Sequence, residues 1–290
     1  MIYKCIRRTY RRRLIGSQIR RRYPVFEQAN DAIRIRTVGC SRDELSFLDL
    51  LDSNRLQSTK ESVLSGFSTR TKDRPLFYYL GSQAQTSPIL KLLGRCLSDA
   101  KILGYWDTRA QLGFVKASEP RLVLQCIAHE MGHAWLSLSS FPLLELPWVL
   151  HEAIARAVER CMGFRPTDCK HSEWERPAAN ILKMSRTSIP LSIEMLLAMR
   201  LELDAELERR LLFCWESDAL LAFLFQRLTG NSIIEKVFDA MSAPFGTPRA
   251  RLKRIANLCG STVELIERDF FDYLQVGHWG PMFNNSIISD

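Results

Sequence analysis

The chain has 290 residues, of which 46% are hydrophobic and 25% are charged, which is typical of a globular protein with one core and a small appended subdomain. Its net charge of +8 is concentrated at one end, because residues 1–36 hold eleven Lys or Arg against two acidic residues. That segment carries +9 and the rest of the chain −1, so the body is not basic. The body also contains no nucleic-acid-binding signature, P-loop or Rossmann glycine pattern, which argues against those classes of function.

We expect residues 1–30 to form a flexible basic arm. An Arg-rich segment can bind phosphates or an anionic membrane surface, so a weak anionic partner is one expected role, and a solvated terminus without a partner is the other. No apolar segment follows the basic residues and no run reaches about 18 apolar residues, so neither a secretory signal nor a transmembrane segment is predicted. Eight scattered cysteines without a CxxC pair favour a reducing compartment, which predicts a cytoplasmic protein.

Three short strands are predicted after the arm, because apolar residues there either alternate with polar ones or form short bounded runs. They cover 32–39, 75–80 and 111–116. After the first strand, Ser41 and Glu44 form a capping box that predicts a helix start, and the polar residues 53–74 fit a loop or a frayed helix. A further amphipathic helix is expected from Pro88 onward.

The most informative stretch is LVLQCIAHEMGHAWLSLS (122–139), an apolar run with helical spacing that contains His129, Glu130 and His133. Ser118 is expected to cap this helix. Residues four apart lie on one face of a helix, so the two His can ligate one metal ion, and Glu130 can reach a metal-bound water. A surface helix can carry the same pattern by accident, but a buried helix does not hold two His and a Glu unless something satisfies them. The apolar neighbours indicate a buried helix, so the pattern predicts a metal site.

A second helix, predicted over 146–160, supplies the third ligand. Glu152 lies 19 residues after the motif, which is enough chain for a turn and a helix that folds back beside the first. His151 is the alternative ligand and would point about 100° away around the helix. Two imidazoles, a carboxylate and an open water position form the ligand set of a catalytic zinc rather than a structural one. Arg156 and Glu159 lie one and two turns past the Glu, and either could orient a ligand.

These residues resemble the gluzincin metallopeptidases, in which a second helix donates a carboxylate to the HExxH helix. The resemblance is sharpest to the bacterial peptidase MA-like proteins, thermolysin relatives with a small gluzincin core, and it spans about residues 100–275. The positions that match the family's Glu segment are Pro147, Trp148, Glu152 and Ala155. Ala153 stands where the family has glycine, and one extra residue separates Trp148 from Glu152. The stretch GYWDTRAQLGFV (104–115) is similar to the family's lead-in to the HExxH helix.

The resemblance implies an α+β, zincin-like fold. Its parts would be a small N-terminal mixed sheet with helices, the HExxH helix, the Glu helix and a mostly helical C-terminal half. The metallopeptidase domain would cover 31–275, and 276–290 would be a C-terminal tail. In gluzincins the strand before the HExxH helix borders the cleft, so an extended peptide substrate is expected to pair with the edge of strand 111–116.

The resemblance also implies a zinc-dependent peptidase that hydrolyses peptide bonds with Glu130 as general base. The ligands of Zn²⁺ would be His129, His133 and Glu152. Gluzincins usually place a Tyr or His against the oxyanion, and for that role the sequence offers only Tyr105 and His171. Two rival hypotheses are a zinc-binding pseudoenzyme or interaction module, and a protein that binds nucleic acid or membrane through the Arg-rich arm. Glu130 argues against the pseudoenzyme, because a site without catalysis has no need of that carboxylate.

Overall fold

The computed structural model of the protein describes residues 2–40, 51–63, 74–81, 104–108, 110–138, 146–164, 191–199, 207–228, 233–242 and 246–276. Over these ranges the fold is α+β, with one small mixed sheet of five strands and a larger helical part, as predicted. The chain divides into two compact units, Met1–Glu61 with Thr69–Phe141, and Ser62–Ser68 with Pro142–Asp290. None of the described helices is both long enough and apolar enough to cross a bilayer.

The first unit contains the sheet. Its elements are α1 (Ile2–Arg22), β1 (Val25–Ala29), β2 (Arg34–Val38), most of α2 (Ser53–Val63), β3 (Leu76–Leu80), β4 (Gly104–Asp107), β5 (Leu112–Lys116) and α3 (Pro120–Leu138). The strand order is β1-β2-β3-β5-β4, in which the outer pairs β1–β2 and β4–β5 are antiparallel and the two inner pairings are parallel. Strands β3 and β5 are buried along their whole length because they occupy central positions.

One face of the sheet forms a core with α1. Alternate residues of β3 and β5 point to this face, and the ring of Tyr78 stacks on that of Phe114 with centroids 5.6 Å apart. Ile15 and Ile19 of α1 are buried in the same cluster, because residues four apart share one side of a helix. Much of the segment expected to be a flexible arm is therefore a helix whose apolar stripe contributes to the core.

All three predicted strands are present, as β2, β3 and β5. The expected pairing of a substrate with the edge of strand 111–116 is wrong, because β5 is hydrogen-bonded to β3 on one side and to β4 on the other. On this side of the sheet the edge strand is β4, which the sequence analysis includes only in the stretch 104–115 before the HExxH helix. The start of the polar segment 53–74 is helical, in α2. The helix starts expected at Ser41 and Pro88 lie outside the described residues.

The second unit is helical throughout its described ranges. Its helices are α4 (Trp148–Cys161), α5 (Ile193–Ala198), α6 (Leu207–Arg227), α7 (Ile233–Met241), α8 (Pro248–Leu258) and α9 (Val263–Val276). Helix α4 packs along α6. Helix α9 packs on another part of α6, where the rings of Phe223 and Phe270 lie 5.5 Å apart. The carboxylate of Glu267 accepts the backbone N–H groups of Ile193 and Glu194 and so caps α5.

Candidate metal centre

Helix α3 carries the HExxH motif and lies against β4 and β5. Its first backbone hydrogen bond runs from Val123 N–H to the carbonyl of Glu119 (3.1 Å), so the helix begins one residue later than a cap at Ser118 predicts. Twelve of its residues are buried, and they include both apolar residues and members of the motif. The expectation of a buried HExxH helix is confirmed, which makes the environment of its polar side chains the next question.

The approach of β4 to α3 depends on a glycine. A Cβ atom at Gly104 would overlap the sulfur of Cys126 and lie 3.3 Å from Cγ of Glu130. A larger residue at this position would therefore force the Cys126 side chain or the strand to shift. At the other end of this contact the indole of Trp106 donates a hydrogen bond to Ser137 Oγ (2.7 Å), which is buried. These two contacts fix α3 along β4, with the stem of Glu130 against the backbone of the strand.

The two His of the motif lie close together. Their Nε2 atoms are 3.3 Å apart, and the rings meet edge to face with centroids 5.0 Å apart. Two nitrogen ligands at the usual Zn–N length of about 2.0–2.1 Å, in a tetrahedral arrangement, are separated by about 3.3 Å. The same separation permits an N–H···N hydrogen bond between the rings, so an ion would take the place of one proton. The pair therefore has the spacing of two nitrogen ligands that share one tetrahedral metal ion.

Glu130 follows His129 on the same helix and is 7% exposed, as is His133. A carboxylate so far removed from water is costly unless charged or polar groups satisfy it. His129 is half-buried, so solvent can reach one side of the pair. This combination of a buried carboxylate beside a partly accessible imidazole is compatible with a site that admits a water molecule.

Glu152 lies in the second unit, on α4, and is 4% exposed. The Sγ atom of Cys214, on α6, is 3.3 Å from Oε2 of Glu152, so the thiol donates a hydrogen bond to the carboxylate. The contact exists because α4 and α6 pack along each other. No local pattern predicts this contact, because Cys214 sits in an apolar helical run where a small core residue is the ordinary interpretation.

His151, the alternative third ligand, is 5% exposed, and its ring lies 5.5 Å from that of Trp148 on the same helix. Burial lowers the pKa of His151 to about 4, against the opposing effect of the Glu152 charge. The imidazole is therefore neutral at neutral pH. Its ring packing gives this residue a place in the fold that does not depend on a metal.

Further along α4, Arg156 donates to both carboxylate oxygens of Glu159, at 3.3 and 3.1 Å. Both residues are buried. Burial alone would lower the pKa of Arg156, but the nearby charge of Glu159 and those of other groups raise it above its ordinary value. The Arg156–Glu159 pair is thus a buried ion pair of α4, and a role for either residue in orienting a ligand stays a prediction.

Of the two candidate oxyanion residues, the structure describes Tyr105. Tyr105 lies between Gly104 and Trp106 on β4, and its side chain packs against the sheet core beside α1. Because successive side chains of a strand point to opposite faces, Tyr105 points away from α3. His171 lies outside the described residues. The first unit thus brings together His129, Glu130 and His133, and the second holds Glu152.

A search of protein-family models and of curated proteins found no match to this chain.

Proposed function

We propose that the chain is a zinc-dependent peptidase of zincin-like fold, with Glu130 as general base. The proposed ligands are His129, His133 and Glu152, which offer two imidazole nitrogens and a carboxylate oxygen. These are the donor types of a catalytic zinc, which keeps one position open. The observation that carries the proposal is the 3.3 Å separation of the two His Nε2 atoms on α3, since it matches two nitrogen ligands of one tetrahedral ion.

The ion and the protein would supply different parts of the hydrolysis reaction. When bound, zinc would polarise the scissile carbonyl and lower the pKa of a water molecule toward about 7. Glu130 would accept the proton of the attacking water and deliver it to the leaving amine. The burial of Glu130 supports this role, because a carboxylate shielded from bulk water exchanges its proton with the reacting groups rather than with solvent.

The position of β4 supports a peptide as substrate. Within the described residues β4 occupies the outer position on its side of the sheet, next to β5, and is therefore an edge strand. An extended peptide can add to such an edge through main-chain hydrogen bonds. Because the stem of Glu130 lies against Gly104, a peptide bound along β4 would run close to the general base.

The test combines metal analysis with a cleavage assay on a broad peptide library. We expect about one zinc per purified chain and hydrolysis of some library members. The Glu130→Gln variant should keep its zinc and lose at least about 100-fold in cleavage rate, since general-base catalysis contributes about 10²–10⁴-fold. Glu119→Gln is the matched control, because Glu119 is an exposed carboxylate at the start of the same helix and should change neither quantity.

Two results would contradict the proposal in different ways. Equal cleavage by the wild type and by Glu130→Gln, with zinc retained in both, would remove Glu130 from the mechanism. Stoichiometric zinc without cleavage of any peptide would favour the zinc-binding pseudoenzyme instead.

A further inference from the structure

The contact between α4 and α6 carries a row of polar groups. Glu152, Arg156 and Arg160 follow one another at four-residue spacing on α4, and Cys214 and Asp218 do so on α6. Residues at this spacing share one side of a helix. The row is paired across the contact, since the Cys214 thiol meets Glu152 and the guanidinium of Arg160 meets the carboxylate of Asp218.

We propose that Cys214 is a positioning residue for Glu152. Its thiol donates a hydrogen bond to Oε2 and so holds the carboxylate in one orientation for the ion. This inference rests on the proposed metal site and deepens it, because it names the group that prepares the third ligand. Outer partners of this kind fix the orientation of a metal ligand and tune its affinity.

Burial gives the hydrogen bond its importance. Glu152 is 4% exposed, so water does not compete freely for Oε2 and does not readily replace the thiol as a donor. Without the thiol the carboxylate would be less restricted about its terminal torsion, which is broad and has no sharp minimum. Metal binding would then have to restrict that rotation each time an ion is bound.

The weakness of the thiol as a donor suits the role. An S–H group donates a weaker hydrogen bond than an ammonium or guanidinium group and carries no charge. A cationic donor on Oε2 would draw negative charge away from the oxygen that binds the ion. A neutral thiol fixes the direction of the carboxylate and leaves most of its charge available for the metal.

The test measures the dissociation constant of zinc by competition with a chromophoric chelator, on the full chain. Cys214→Ala, which has no donor, should weaken zinc binding by about 10-fold or more, the lower end of the range for outer partners of metal ligands. Cys214→Ser, which keeps a donor, should stay within about 3-fold of the wild type. Cys259→Ala is the matched control, because Cys259 is a half-buried free cysteine of the same unit and should have no effect.

Two further measurements separate positioning from general damage. The melting temperature of the metal-free protein should be alike in the Ser and Ala variants, and the visible spectrum of the cobalt-substituted protein should change in Ala but not in Ser. If either variant fails to fold, Cys214→Thr and Cys214→Val form a second pair that differs in one hydroxyl group and little in shape. In that pair too, the donor-containing variant should bind zinc more tightly.

The outcomes distinguish the inference from the proposal beneath it. Wild-type protein that binds no zinc would overturn both. Wild-type protein that binds zinc, with Cys214→Ala equal to it or with Ser as weak as Ala, would overturn only the role of Cys214. Rescue by the hydroxyl variants would support it, since only the donor distinguishes the members of each pair.

Discussion

At the scale of single residues, Glu152 and His151 are chain neighbours with different surroundings. The Glu152 carboxylate receives a hydrogen bond from α6, whereas the His151 ring packs on Trp148. We expect Glu152→Gln to weaken zinc binding sharply, because a neutral amide is a poor ligand for Zn²⁺ beside two imidazoles. His151→Phe keeps an aromatic ring in place and should leave the zinc dissociation constant nearly unchanged. The reverse order of effects would make His151 the third ligand.

A second residue-scale prediction concerns Glu216, which is fully buried on α6 and accepts the backbone N–H of Leu191 at 3.2 Å. Burial raises the pKa of Glu216 to about 8, and the hydrogen bond from Leu191 opposes part of this rise. The folded protein therefore holds this proton more tightly than the unfolded chain does. The contribution of protonated Glu216 to the free energy of unfolding is fully present below about pH 4.5. It is lost as the pH rises toward 8.

Replacing Glu216 by Gln should remove that loss. Thermal unfolding followed from pH 5 to pH 9 should show a smaller fall in melting temperature for Glu216→Gln than for the wild type. The difference in unfolding free energy should be on the order of 1–3 kcal/mol at the alkaline end. Glu235→Gln, at an exposed position of α7, is the control and should follow the wild-type profile. Parallel profiles for the wild type and Glu216→Gln would show that Glu216 is already ionised at low pH.

At the scale of elements, the contact between β4 and α3 depends on the missing side chain of Gly104. We expect Gly104→Ala to lower the unfolding free energy by about 1–3 kcal/mol, the usual effect of an added group in a filled core. Because the new methyl would meet the Cys126 sulfur first, the double variant Gly104→Ala with Cys126→Ala should recover part of the loss. Denaturant unfolding of the wild type, the two single variants and the double variant gives the coupling free energy between positions 104 and 126. Additive losses would show that the overlap is relieved elsewhere.

The C-terminal end of α1 offers a test of the anionic partner. Arg20, Arg21 and Arg22 are all exposed there, where positive charge also complements the helix dipole. Deletion of residues 1–30 is a poor experiment, because it would remove the buried Ile15 and Ile19 together with β1. Charge removal leaves those contacts in place.

We expect the triple change of these three Arg to Gln to lower the affinity for anionic vesicles, and the effect to shrink as salt is raised. Co-sedimentation with phosphatidylserine vesicles measures this. The control replaces Lys253 and Arg254, two exposed basic residues of α8, by Gln. Equal binding by the triple variant and the wild type would leave the basic end of α1 with a purely structural role.

The same elements show what the sequence could predict. Alternation or bounded apolar runs predict strands β2, β3 and β5. Helical spacing around the motif residues predicts α3 and α4. Helix α1 is not predicted, because the eleven basic residues of 1–36 indicate a solvated arm, although Ile15 and Ile19 have the four-residue spacing of a helix. The edge strand β4 is four residues long, too short for a pattern of its own. The Cys214–Glu152 contact joins residues 62 apart and depends on how two helices pack, which no local pattern reports.

At the scale of the whole molecule, a metal held by residues far apart in the chain should couple its binding to folding. The proposed ligands are absent as a set from the unfolded chain, so zinc should bind the folded state preferentially and stabilise it. We expect a strong chelator to lower the melting temperature of the wild type, and added zinc to restore it. His133→Ala should melt at one temperature in the presence and absence of chelator. A wild type insensitive to chelator, with zinc shown to be removed, would contradict the coupling.

The sheet order has a consequence for how fast the protein folds. The pairs β1–β2 and β4–β5 are hairpins of neighbouring strands, while β3 must join both through parallel pairings that span long stretches of chain. Contacts between distant residues form late, because the chain loses the entropy of the loop before it gains the contact. Helix α3 follows β5 directly and packs on the β4–β5 hairpin, so residues 104–138 can assemble as one local piece. We therefore expect the His pair to be in place early in folding, with the insertion of β3 between the two hairpins as the slow step.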